Sequence, residues 1–88
     1  MADSFLESAR KIGFNRAVAR NSRMFIVQTE VLGKDGLTIR TTVLERGVVR
    51  VAESSDGTRY SGELERVQAA AQAQHDDYVN RVQRGELD

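Results

Sequence analysis

The sequence predicts an α+β fold: a four-stranded antiparallel β-meander with a short N-terminal helix and a long C-terminal helix. Three observations carry that expectation. Residues Met24 to Leu32, reading MFIVQTEVL, are the longest β-type run in the chain. Further β-type runs lie on either side of it, each set off by a short polar or glycine-bearing turn, the spacing of hairpin-connected strands. After Ser61 the period changes. Leu64, Val67, Ala71, His75, Tyr78 and Val82 recur at intervals of three or four, which is an amphipathic helical stripe.

The chain of 88 residues is read as one domain, 1–88. Its first helix is expected over residues 4–12. Ser4 is placed to cap it and Glu7 to reach back, as in a capping box. Phe5, Leu6, Ala9 and Ile12 share one face, and Gly13 suits the C-terminal stop. So short a helix has to dock on something to persist.

Strands are expected over 14–20, 24–32, 37–45 and 48–53. Phe14, Arg16, Val18 and Arg20 share a face of the first, and Asn21-Ser22-Arg23 turns the chain. In the second, Phe25, Val27, Thr29 and Val31 point one way and form the core side. Met24, Ile26, Gln28, Glu30 and Leu32 point the other way, apolar at the ends with two polar side chains between. Gly33-Lys34-Asp35-Gly36 is a hairpin connection. Leu37, Ile39, Thr41 and Val43 alternate with Thr38, Arg40, Thr42 and Leu44 on the third strand. Arg46-Gly47 turns again, and Ser54 to Thr58 reads as a polar loop. The expected core includes Phe25, Val27, Val31, Ile39, Val43 and either Val49 or Val51.

The second helix is expected over 61–84, with Glu63 and Glu65 in its first turn, Arg81 and Arg84 in its last, and Gly85 as its C-cap. At about 34 Å it either crosses the sheet diagonally or overhangs it. In the second case Tyr78, Val79 and Val82 are left for a partner.

Net charge is zero but unevenly spread. Residues 1–23 carry five Arg/Lys against two acids, and residues 61–88 carry three Arg against six acids. A basic head and an acidic tail attract each other or present two faces to partners. There is no cysteine, hence no disulfide and no thiolate site. No apolar run is long enough to span a bilayer and no signal peptide is visible, so no membrane partner is expected and the expected location is cytoplasmic.

Catalysis is not expected. His75 is the only histidine, and no nucleophile or ligand set accompanies it in the sequence. It reads as a half-buried histidine making one hydrogen bond. Asp76 and Asp77 diverge around a helix and are not a dyad. The glycines form no phosphate loop. No cofactor or metal is implied.

The residues Phe14-Asn15, Val18, Phe25-x-Val27-Gln28-Thr29-Glu30, Thr41, Gly47, Tyr60, Gln74-His75 and Gly85-Glu86-Leu87-Asp88 resemble a family of small bacterial proteins common in deltaproteobacteria. Their strand reads like FHVQTED, and their C-terminal helix carries a QH pair and closes with G-x-[FL]-D. The resemblance covers Phe14 to Asp88. Ile26 stands where that family often has histidine and Val31 where it often has a second acid, so a site built on those side chains is not carried over. The resemblance implies no catalytic activity. It implies a role in regulatory complexes of bacterial signalling or cell polarity, with a small GTPase or receiver domain as partner.

The expected function is therefore a non-catalytic protein-interaction module. Its candidate contacts are Gln28, Glu30 and Arg40 on the sheet and His75, Tyr78, Val79 and Val82 on the long helix, with a homodimer through that helix as the simplest form. The rival expectation is nucleic-acid binding by Arg16, Arg20, Arg23, Arg40, Arg46 and Arg50 grouped on one sheet face. Few aromatics are free to stack bases, and the acidic tail repels phosphate, which weighs against it.

Overall fold

The alternation in MFIVQTEVL is realised as a strand with every second side chain buried, and the whole chain is organised on it. The computed structural model describes residues 3–33 and 36–88. Its elements are α1 (Asp3–Ala9), β1 (Gly13–Arg20), β2 (Arg23–Gly33), β3 (Leu37–Glu45), β4 (Val48–Asp56), a 3-10 turn (Thr58–Tyr60) and α2 (Leu64–Gln83). The strands form one antiparallel sheet in the order β1-β2-β3-β4, with the helices on one face. The expected fold class is the observed one. The Lys34-Asp35 turn centre lies outside the described residues. Among those described, no helix is long and apolar enough to cross a membrane.

Several boundaries differ from the expectation. Helix α1 begins at Asp3, so Ser4 lies inside its first turn, and it ends at Ala9. Gly13 is the first residue of β1 rather than a helix stop. Strand β4 runs on through Ser54, Ser55 and Asp56, which pair with Arg40, Ile39 and Thr38. Those residues have poor strand propensity, and the ladder offered by β3 overrides it. Helix α2 starts at Leu64 rather than residue 61, because the 3-10 turn and Gly62, at φ 84°, intervene. Glu63 is then its N-cap, without a side-chain capping bond.

The C-terminal stop is as expected. Gly85 has φ 80°, its N–H donates to the Val82 carbonyl at 3.0 Å, and the Glu86 N–H donates to Arg81 at 3.0 Å. This is the paired bonding of a Schellman motif. It turns Leu87 back onto the core. Asp88 then meets Arg20 at 3.1 Å and Arg23 at 3.7 Å, so the basic head and acidic tail do attract each other.

The core has two apolar halves. One holds Val18, Phe25, Val27, Val43, Tyr78, Val79 and Val82. The other holds Ala9, Val31, Leu37, Ile39, Val67 and Ala71, with Phe5, Leu6, Ile12 and Phe14 packed on it. Helix α1 is the lid of this second half. Val51, not Val49, joins the core, because the register shifts between Val43 and Leu44 and pairs Leu44 with Val49.

Between the halves runs a polar belt of Thr29, Thr41 and His75, all buried. The Thr29 and Thr41 hydroxyls are 2.7 Å apart and Thr29 lies 3.1 Å from His75 Nδ1. Gln74 Nε2 donates to Thr41 at 3.0 Å and to the Ile39 carbonyl at 3.2 Å. Ser55 donates to the other end of Gln74. Thr41 accepts from Gln74, so a chain in which the Thr41 hydroxyl donates to Thr29 and the Thr29 hydroxyl donates to His75 Nδ1 gives each hydroxyl proton an acceptor. Nδ1 of the neutral ring is then the acceptor.

Burial pushes the His75 pKa below its ordinary value; Asp76 opposes this and Arg16 adds to it. Protonation also reverses the hydroxyl chain and takes the acceptor from the Thr41 proton. A lowered histidine pKa means stability is full above the unfolded value of about 6.5, falls below it, and levels off under the folded pKa. Urea unfolding at successive pH values is expected to show this decline below about pH 6.5, and His75→Gln is expected to flatten it. A wild-type profile flat across that window refutes the assignment.

Candidate functional site

Because strand side chains alternate, the pairing register determines what the helix-free face carries. Three rows cross the sheet from β1 to β4. The first is Ala17, Ile26, Leu44 and Val49. The second is Asn15, Gln28, Thr42 and Ala52. The third is Gly13, Glu30, Arg40 and Ser54. Met24 lies beside the first row, opposite Ala19.

The first row is apolar and open to solvent. Met24 is 55% exposed, Ile26 39% and Val49 55%, while Leu44 is half-buried. Met24, Ile26, Gln28, Leu44 and Arg46 line a shallow depression of about 480 Å³. In the third row Glu30 and Arg40 are cross-strand partners, 3.7 Å apart, with both side chains about half exposed. Such a pair is weak in water and is available to a further charge.

Gln28, Glu30 and Arg40 thus come together on this face. The helix residues do not join them. Tyr78 is 5% exposed, Val79 3%, Val82 1% and His75 4%, all packed under α2 against the other face of the sheet. The expectation that α2 leaves Tyr78, Val79 and Val82 for a partner is therefore corrected, and with it the homodimer through that helix. At 20 residues α2 is about 30 Å long and lies along the sheet. Leu64, expected in its stripe, is 38% exposed because it stands at the first turn, beyond the core.

The buried helix groups have internal tasks. His75 is bonded to Thr29 and packs on Phe14, with ring centroids 5.5 Å apart. The Tyr78 hydroxyl donates to Glu53, and burial, with that bond, pushes its pKa up to about 12. Gln28 and Glu30 lie on the opposite side of the sheet from His75, so no shared pocket forms.

The arginines do not group on one face. Arg16, Arg20, Arg23 and Arg50 belong to the helix side, while Arg40 and Arg46 belong to the open side. Arg23 donates twice to Glu45, at 2.7 and 2.8 Å, and Arg50 also pairs with it. The Arg23 hydrogen bonds, with help from Arg50, hold the Glu45 carboxyl down at about 2. Arg23 and Arg50 lie over the Phe25 ring at 5.0 and 6.0 Å, and Arg50 donates to the Leu87 carbonyl at 2.9 Å. These cations close the end of the core and secure the C-terminal segment.

The sequence pattern alone did not single out Met24, Ile26, Leu44 and Val49 as contacts. The signal for Met24 and Ile26 was present, as apolar residues on the mixed face of β2. What the sequence lacked was the fact that no layer covers that face.

Compared with known proteins, the chain matches no family model, no curated protein and no solved structure.

Proposed function

We propose that this chain is a non-catalytic protein-interaction module that docks its partner on the open face of the sheet. The observation that carries the reading is the row Ile26, Leu44 and Val49 with Met24, apolar and open, beside the polar row of Gln28 and the charged pair Glu30–Arg40. An apolar centre bordered by polar groups is the ordinary make-up of an interface. The likeness to small bacterial proteins implies a regulatory partner, such as a small GTPase or receiver domain.

The test compares the wild type with Ile26→Glu in capture from a bacterial lysate, followed by reconstitution with the purified partner. Ile26 is 39% exposed, so the substitution is expected to leave circular dichroism and melting unchanged. It is expected to weaken capture at least about tenfold, the effect of losing roughly 1.4 kcal/mol at an interface centre. Binding that survives both Ile26→Glu and Val49→Lys refutes docking on this face.

A further inference from the structure

The open face is matched to itself. We propose that two copies of this chain pair face to face through it, about a twofold axis running parallel to the strands between β2 and β3. The pairing rests on reading the open face as an interaction surface, and it names the occupant.

Symmetry sets the contacts. A twofold axis along the strands keeps each row at the same height and exchanges the two halves of the sheet. Strand β2 of one copy then lies over β3 of the other, and β1 over β4. In the first row Ile26 meets Leu44 of the second copy and Ala17 meets Val49, so large apolar side chains meet apolar ones along the whole row. In the second row Gln28 meets Thr42, both able to donate and accept. In the third row each Glu30 meets Arg40 of the second copy. The two cross-strand pairs merge into a ring of four alternating charges. An axis perpendicular to the strands instead lays the apolar row on the far end of the sheet, where Thr38 and Asp56 pair.

Size favours a second copy that covers the entire face. Strands of nine residues at about 3.3 Å each, four across at about 4.8 Å, make roughly 550 Å² per copy. Two copies bury about 1,100 Å², at the lower limit for a specific interface. A segment covering one or two strands falls well short of that. A second sheet of the same outline, aligned with the small offset natural to twisted sheets, covers it all.

The charges supply a test that a merely intrachain pair does not pass. In a homodimer, Glu30→Arg sets a second guanidinium opposite Arg40, and Arg40→Glu sets a second carboxylate opposite Glu30. Each variant is expected to weaken self-association at least about tenfold in sedimentation equilibrium. When the two are mixed, every facing pair is again opposite in sign, and a heterodimer is expected to form at close to wild-type strength. The wild-type 88-residue chain is expected to pass from 9.8 kDa to twice that mass as concentration rises, and Ile26→Glu to stay at the lower mass. Circular dichroism checks that each variant is folded.

A wild type that stays monomeric overturns the self-pairing. Capture of another protein in the same preparation that is lost with Ile26→Glu then leaves the open face as an interaction surface with a different occupant. Loss of both overturns both readings. A dimer that persists in Ile26→Glu, or single-charge variants that do not associate on mixing, places any association elsewhere and overturns the proposed axis.

Discussion

Phe25→Ala is expected to lower the unfolding free energy by about 3–5 kcal/mol. Phe25 is the largest fully buried side chain among the described residues, in the half of the core that also holds Val27, Val43 and Tyr78. Truncation removes the apolar area of the ring and leaves a cavity. It also removes the surface under the Arg23 and Arg50 guanidiniums, where each such contact contributes about 0.5–1 kcal/mol at a partly exposed site. A chain of this size has a total stability near the lower end of about 5–15 kcal/mol, so most of it is lost. Urea unfolding measures the change as a lower midpoint at unchanged slope. A loss under about 1 kcal/mol refutes the central place given to this ring.

Val82→Asp is expected to unfold the protein. Val82 is 1% exposed, beneath α2 against β1 and β2. Its replacement brings a carboxylate into the apolar cluster of Val18, Phe25 and Val27. The lost burial and the uncompensated charge together cost more than about 4 kcal/mol. Circular dichroism is expected to lose its cooperative thermal transition at neutral pH. A variant that melts near the wild-type temperature refutes the packing of α2. Loss of partner capture in Val82→Asp therefore reports unfolding and not a contact, whereas Ile26→Glu, on the solvent side of the same sheet, separates the two.

Much of this fold is legible in the residues because local preference and burial agree. Phe25, Val27, Thr29 and Val31 are β-branched or aromatic and fall on one side of a period of two, so β2 and its inward face follow directly. Val67, Ala71, His75, Tyr78 and Val82 recur with helical spacing, and Gly85 sits where a left-handed residue has to end the helix. Where preference and pairing disagree, pairing wins. Ser54, Ser55 and Asp56 read as loop and are strand, because β3 extends opposite them with unpaired backbone groups. Val49 and Val51 are equivalent in sequence. Only the register shift at Val43–Leu44 puts one in the core and the other on the surface.

The candidate site divides in the same way. That Gln28, Glu30 and Arg40 share a side of the sheet follows from alternation and was determined by the sequence itself. That Glu30 faces Arg40 across strands, and that Ile26, Leu44 and Val49 form one row, depends on register, which joins residues far apart in the chain. The burial of Tyr78, Val79 and Val82 depends on where α2 lies over the sheet. An amphipathic period specifies that a helix has an apolar face but not which surface receives it. The helices cover only one side of the sheet, and the exposed apolar row exists because of that choice of layer, a property of three-dimensional packing that no single stretch of residues contains.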